Sequence, residues 1–169
     1  MRYAKPLACL AVILISCSAE AETGDAKFVR ECGQEWQQHK ADHGKPQRGT
    51  GHDAWLTFQS QCLENKRRTN ATPVERKRIR VVDGDTIELD GIRRRFRGCD
   101  TPEIKDARCD AERERGERAK ARLEQLIDSG EVKIYTRTPK DRYDRPLIDL
   151  FVAETDVCST LMNEGLAVR

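Results

Sequence analysis

The sequence predicts an α+β fold: a small closed β-barrel with packed helices, preceded by a small helical hairpin. Three observations lead there. From Arg76 onward the chain falls into short β-rich runs punctuated by Asp-Gly pairs. One long helical run, Asp110 to Asp128, interrupts those strands. Upstream, as far as Lys66, the apolar period is helical instead, and this stretch holds both tryptophans of the chain.

The barrel strands are read from "KRIRVV", "DTIELD" and "IRRRFRGC", which alternate or carry β-branched residues, with turns at Asp83-Gly84 and Asp90-Gly91. In "DAERERGERAKARLEQLID", Ala119, Leu123, Leu126 and Ile127 form an apolar stripe, and Ser129-Gly130 ends the helix. "EVKIYTR" and "RPLIDLFVA" are further strands on either side of a "DRYD" turn. "DVCSTLMNEG" closes the chain as a short helix with Val157, Leu161 and Met162 turned inward. Three strands, a helix, more strands and a closing helix suit a five-stranded barrel of the OB type over residues 76–169.

Residues 22–66 read as two helices, "KFVRECGQEWQQHK" and "DAWLTFQSQCLENK", joined by the loop "HGKPQRGTGH". Phe28, Cys32 and Trp36 repeat at i, i+4, i+8, and Trp55, Phe58 and Cys62 at i, i+3, i+7. A hairpin this small cannot bury enough surface alone, so a Cys32–Cys62 disulfide is expected to staple it. His39 and His43 share a helix face, but no third ligand stands at sensible spacing, and they read as solvated. Residues 67–75, with Pro73 near their end, read as a polar linker.

The first 21 residues read as a signal peptide: Arg2 and Lys5, then an apolar run from Leu7 to Ile15. That run is shorter than the roughly 20 apolar residues that span a bilayer, so no transmembrane helix is expected. "LISC", residues 14–17, resembles a bacterial lipobox that would anchor Cys17 to a membrane through lipid; "AEA", Ala19 to Ala21, is an ordinary cleavage site. Either reading exports the protein to a periplasmic or extracellular compartment, where disulfides persist. Cys32, Cys62, Cys99, Cys109 and Cys158 then remain, an odd number that leaves at least one thiol free or intermolecular. None has the paired spacing of a zinc site. Cys109 and Cys158 are candidates to pair with each other, or either with Cys99.

Bulk charge is uninformative: 31 Lys and Arg against 29 Asp and Glu leave a net charge of +2. Any binding field for a polyanion must come from local sorting of charge. The stretch "VVDGDTIELDGIRRRFRGCDTPEI" shows such sorting. Asp83 and Asp85 flank a glycine, while Asp100 and Thr101 precede Pro102 and Glu103. Pro102 holds Thr101 extended, which leaves its carbonyl free to act as a ligand. Carboxylates and a carbonyl are hard oxygen donors suited to Ca²⁺ or Mg²⁺. On an ideal strand Arg93, Arg95 and Arg97 share one face and Ile92, Arg94 and Phe96 the other. Arginines on such a face can grip a phosphodiester bidentately. A solvated, salt-bridged surface strand would look the same on this segment alone.

Three motifs in order decide between these readings. "DGDTIEL", then "RFRGCDTPE", then "DRYDRPL" resembles the staphylococcal nuclease (thermonuclease) family, here as an exported bacterial member with an N-terminal extension. The resemblance runs from about Arg76 to the end and does not cover the hairpin. It implies one Ca²⁺ ion held by the Asp85 and Asp100 carboxylates and the Thr101 carbonyl, with Asp83 supporting the ion through a water. It implies Glu103 as the general base, Arg95 and Arg145 as the arginines on the phosphate, and Arg142 and Tyr143 as contacts to a further phosphate or sugar. It also implies hydrolysis of the P–O5′ bond of DNA and RNA with little sequence preference, by a monomer. Asp144 stands where most members have glycine, beside Arg145. The alternative on the same barrel is a non-catalytic binder of nucleic acid or polyanions; such members tend to lose the carboxylates or the base, and here Asp85, Asp100, Glu103, Arg95 and Arg145 are all present.

Overall fold

The structure, a computed structural model, describes residues 24–46, 50–138 and 140–169. The expected signal peptide, with Cys17 and the lipobox, lies outside the described residues. Among those described, no helix is long and apolar enough to cross a membrane.

Helices α1 (Gly24–His43) and α2 (Gly51–Thr69) form the hairpin. Phe28, Cys32 and Trp36 of α1 are buried, as is Cys62 of α2, so the apolar spacing marks the inner faces. Cys32 and Cys62 form a disulfide. Both helices outrun their apolar periodicity. α2 extends through Arg67 and Arg68 because these side chains find partners on α1, beside the sheet and within the helix: Arg67 Nε donates to Asp25 of α1 at 3.0 Å, and Arg68 to the Glu154 carbonyl and to Asn65. Asn70 then caps the end, its main-chain and side-chain nitrogens both donating to the Lys66 carbonyl.

The sheet contains β1 (Thr72–Val74), β2 (Ile79–Asp83), β3 (Thr86–Leu89), β4 (Ile92–Phe96), β5 (Val132–Arg137), β6 (Leu147–Val152) and β7 (Thr155–Asp156). Their order is β1-β5-β6-β4-β3-β2, with β7 added to β6. All pairs are antiparallel except β4 with β6. Helix α3 (Asp110–Asp128) and the short α4 (Val157–Asn163) pack against it.

This corrects the expected closed five-stranded barrel. There are seven strands, and hydrogen bonds do not close the sheet, since β1 and β2 are its two edges. These edges are successive in sequence, separated only by Glu75 and a 3-10 turn at Arg76–Arg78, so the covalent chain joins them. The break has a local cause. Pro73 lacks the amide that a central strand needs and sits on the edge strand β1 opposite Lys133. The stretch 67–75, expected as a linker, therefore holds the last turn of α2 and a strand of the sheet.

The core is assembled from Ile79, Val81, Ile87, Leu89 and Phe96 of the meander, Leu123 and Ile127 of α3, Ile134, Ile148 and Leu150 of β5 and β6, and Val157 and Leu161 of α4. Ile92 departs from the expected alternation: it is 51% exposed, because it opens β4 straight after the Asp90-Gly91 turn, where nothing packs over it. The neighbouring strand β6, by contrast, is buried almost throughout. A strand covered on both faces reads as a continuous apolar run, and "LIDLFV" is such a run apart from Asp149.

The second cover is the hairpin. Phe28 reaches the Tyr135 ring, centroids 5.8 Å apart. Asp149, 6% exposed, accepts from Arg137 Nε and Nη2, both at 2.7 Å. Arg67 of α2 approaches the same carboxylate at 3.8 Å, and Asp25 of α1 lies 3.9 Å from Arg137. Burial pushes the Asp149 carboxyl up in spite of the Arg137 and Arg67 charges, the usual cost of an ion pair removed from water.

Candidate active site

The site begins where β2 turns into β3. The pairing register shifts between Val81 and Asp83, a bulge of the kind that re-aims side chains next to functional sites. Gly84 follows because its neighbours demand it. A Cβ there would lie 2.7 Å from the Ala119 side chain and 2.9 Å from Thr101. The glycine thus lets α3 and the Thr101 loop close on the turn, which is a packing reason rather than the turn geometry that its Asp-Gly setting suggests.

Asp85 is 3% exposed. Its carboxylate accepts from Thr86 Oγ1 at 2.8 Å, from the Thr101 amide at 3.2 Å and from Arg95 Nη1 at 3.1 Å. Burial still holds this carboxyl above its ordinary value, outweighing Arg95 and the hydrogen bonds from Thr86 and Thr101. Arg95 lies opposite Thr86 on β4, and its Nη2 also pairs with the exposed Asp100 carboxylate. One guanidinium therefore bridges the two carboxylates expected to share a cation. Asp83 is half-buried with no hydrogen-bond partner among the described residues; burial raises its carboxyl, and Lys120, Arg93 and Arg95 oppose that rise.

The Asp100 loop is pinned from three directions. Cys99 is disulfide-bonded to Cys158 of α4, which resolves the pairing left open by sequence; Cys109 is free and exposed. Asp100 exchanges two main-chain hydrogen bonds with Val168, at 2.8 and 2.9 Å. The third contact is with α3, where a Cβ on Gly116 would lie 2.5 Å from the Pro102 carbonyl and 2.8 Å from Ile104. A glycine inside a helix costs roughly 1 kcal/mol relative to alanine, so its presence in "RERGERAK" was a legible signal of close approach, though not of what approaches. Gly116→Ala is therefore expected to destabilise the protein by about 1–3 kcal/mol through overpacking, despite the better helix propensity. Thermal melts check this effect.

Glu103 is exposed beside this loop. Partial burial raises its carboxyl, and the charges of Asp83, Asp85 and Asp100 raise it further, with Arg95 opposing. Facing it is the turn before β6. Asp141 accepts from the Tyr143 amide at 2.9 Å, the Arg145 amide at 2.8 Å and Arg145 Nε at 2.6 Å. Asp141 thereby fixes the Arg145 side chain, a role the motif did not reveal. Its burial would raise its carboxyl, but these hydrogen bonds and the Arg145 charge bring it below the ordinary value. Asp144 adopts the left-handed conformation, φ 61°, as the usual glycine would. Its carboxylate bonds Lys140 at 2.9 Å and so does not compete for Arg145. Tyr143, 64% exposed, has Arg142 and Arg145 over its ring at 4.7 and 5.3 Å.

Arg95, Asp100 and Glu103 on one side and Arg142, Tyr143 and Arg145 on the other border a cleft of about 710 Å³. Asp85 and Thr101 lie beneath it, tied to Arg95 and to each other. The structure thus gathers all nine expected residues into one neighbourhood. Arg93 and Arg97 are exposed on β4 and just beyond it, while Arg94 is half-buried with an unpartnered Nε. Glu88 and Asp90 pair with Arg80 and Arg78 away from the cleft. Among the described residues no three His, Cys, Asp or Glu side chains converge to hold a metal; the expected set has two carboxylates, its third ligand being a main-chain carbonyl.

Residues 93–169 match the model of a protein family described as staphylococcal nuclease homologue. The match opens inside β4 and takes in Arg95, Asp100, Thr101, Glu103, Arg142, Tyr143 and Arg145, leaving Asp83, Asp85 and the hairpin outside it. No curated protein matches the chain.

Proposed function

The C-terminal domain of this chain belongs to the staphylococcal nuclease family, and from that premise we propose that the protein is an exported, calcium-dependent nuclease hydrolysing phosphodiester bonds of DNA and RNA. The observation that carries the reading is the bridge from Arg95 to both Asp85 and Asp100 on the floor of a cleft that Glu103 and Arg145 also line. Two acidic side chains that share one cation-binding position, with a third carboxylate nearby, demand positive charge. Their oxygens suit a hard divalent ion. Asp85, Asp100 and the Thr101 carbonyl would hold it, with Asp83 behind them, and when bound it supplies Lewis acidity and a template for the phosphate.

The chain's own groups do the rest. Glu103 takes the proton of the attacking water as the new P–O bond forms and the bond to the 5′ oxygen breaks, the departing 5′ oxygen taking its proton from solvent to leave as a hydroxyl. Arg145, held by Asp141, is preorganised toward the charge that grows on the phosphoryl oxygens. Arg95, paired here with both carboxylates, borders the cleft with Arg145 and is the second arginine for the phosphate. Arg142 and Tyr143 position the adjoining nucleotide. Contacts to phosphate carry no base information, so cleavage is indifferent to sequence. The two disulfides suit an oxidising compartment. Export, with or without a lipid on Cys17, is checked by the mass of the mature N-terminus.

The test is degradation of plasmid DNA and of RNA with Ca²⁺ and with EDTA. Cleavage with Ca²⁺ that EDTA abolishes supports the reading. Full activity in EDTA overturns the metal assignment, and retention of DNA without cleavage under both conditions assigns a binding module instead.

A further inference from the structure

A second cleft, of about 740 Å³, meets the first at Asp100 and Glu103, the residues that border both. Its other walls are the start of α3, with Arg108, Cys109 and Arg115, and the main chain from Gly165 to Val168. We propose that this cleft is a second nucleotide subsite, in which Arg108 and Arg115 hold the phosphate next to the scissile one, so that a single strand runs through both clefts. The inference rests on the nuclease reading of the first cleft.

Four features carry it. A phosphodiester has a nucleoside on each side. Arg142, Tyr143 and Arg145 serve one side, and the second cleft opens from the other side of Asp100 and Glu103. Its volume lies within the range of about 300–1,000 Å³ typical of ligand pockets. Arg108 and Arg115 are exposed, and neither guanidinium has a hydrogen bond or ion pair among the described residues. On the same helix, by contrast, Arg113 and Arg122 are committed to Asp110 and Glu164. The one carboxylate that the second cleft adds, Glu112, is taken up by the Arg108 amide at 2.6 Å. Two unengaged guanidinium groups in an open groove are suited to a phosphate that exchanges.

The test compares wild type with an Arg108→Ala, Arg115→Ala double variant on two substrates. One is a single-stranded DNA decamer; the other is a p-nitrophenyl phosphodiester of thymidine, which has a nucleoside on one side only. With the decamer, KM should rise about tenfold with kcat held within about twofold, and the slope of log KM against log salt should fall by about 1 for each arginine. The nitrophenyl ester should be turned over unchanged. Cys109, the free thiol lining the cleft, supplies a second readout by peptide mapping of its alkylation. The decamer in EDTA should slow that alkylation at least about fivefold, and thymidine 3′,5′-bisphosphate should leave it unchanged. Equal loss on both substrates, or no change with the decamer, overturns the subsite. If wild type cleaves neither substrate, the nuclease reading fails, and protection of Cys109 alone decides whether a strand occupies the groove.

Discussion

Glu103→Gln is expected to lower the rate of DNA hydrolysis by about 10²–10⁴-fold, the contribution typical of a general base, while leaving the fold intact. The glutamate is exposed at the cleft and accepts no hydrogen bond from any described residue, so an isosteric amide disturbs no packing. The wild-type pH profile should carry the same signature. Partial burial, followed by the Asp83 and Asp85 charges, raises the Glu103 carboxyl above its ordinary value of 4.5 in the metal-free protein. Its deprotonated form is the active one, so kcat/KM should fall on the acid side as Glu103 takes up a proton, with the charge of a bound cation opposing the part of the rise that the neighbouring carboxylates cause. The variant should lose this limb. A variant with full activity and an unchanged profile would remove Glu103 from the mechanism.

Asp85→Asn is the second large effect, and its two readouts should separate. Calcium affinity is expected to fall by more than about 100-fold, since even groups that only support a ligand commonly cost 10–100-fold, and activity should fall with it. Stability in EDTA should not fall. In the metal-free protein burial is the main cause that raises both Asp83 and Asp85, so the folded state holds them better neutral. A folded-state pKa above the unfolded one contributes stability below the unfolded value, near 3.9, and loses it as pH rises through the folded value. The metal-free wild type should therefore melt at lower temperature as pH rises from the ordinary carboxylate range toward neutrality, and Asp85→Asn should flatten that slope. Added Ca²⁺ should raise the wild-type melting temperature more at pH 7.5 than at pH 5, and the variant's very little. A variant that melts several degrees below wild type in EDTA at pH 7 would show that the hydrogen bonds to Asp85 outweigh its burial cost.

Much of the site was legible because it is local. Asp83, Asp85, Arg95, Asp100 and Glu103 lie within one meander and its exit, where a turn and a pair of antiparallel strands dictate who meets whom. The helices and most strands followed from apolar spacing alone. What escaped the sequence depends on distant partners. Cys99 could be matched to Cys158 only after α4 was placed on the barrel. Gly116 announced a close approach without naming the Pro102 and Ile104 it accommodates. Asp141 looked like a turn residue and proved to hold Arg145 by two of its nitrogens. The polar run after Lys66 had no apolar period to continue its helix, yet it does so because Arg67 and Arg68 find partners elsewhere. The apolar run of β6, broken only by Asp149, did carry information about its second cover, but it could not say that the cover was the hairpin.

The manner of that covering has a mechanical consequence. Cys32–Cys62 closes the hairpin on itself and Cys99–Cys158 ties α4 to the Asp100 loop, so among the described residues no disulfide passes between the hairpin and the sheet. Parting of the seam would break the ion pairs among Asp25, Arg67, Arg137 and Asp149 and leave each half's disulfide intact, so its closure would need no exchange of disulfides, much as a hinged cover reseats on its frame.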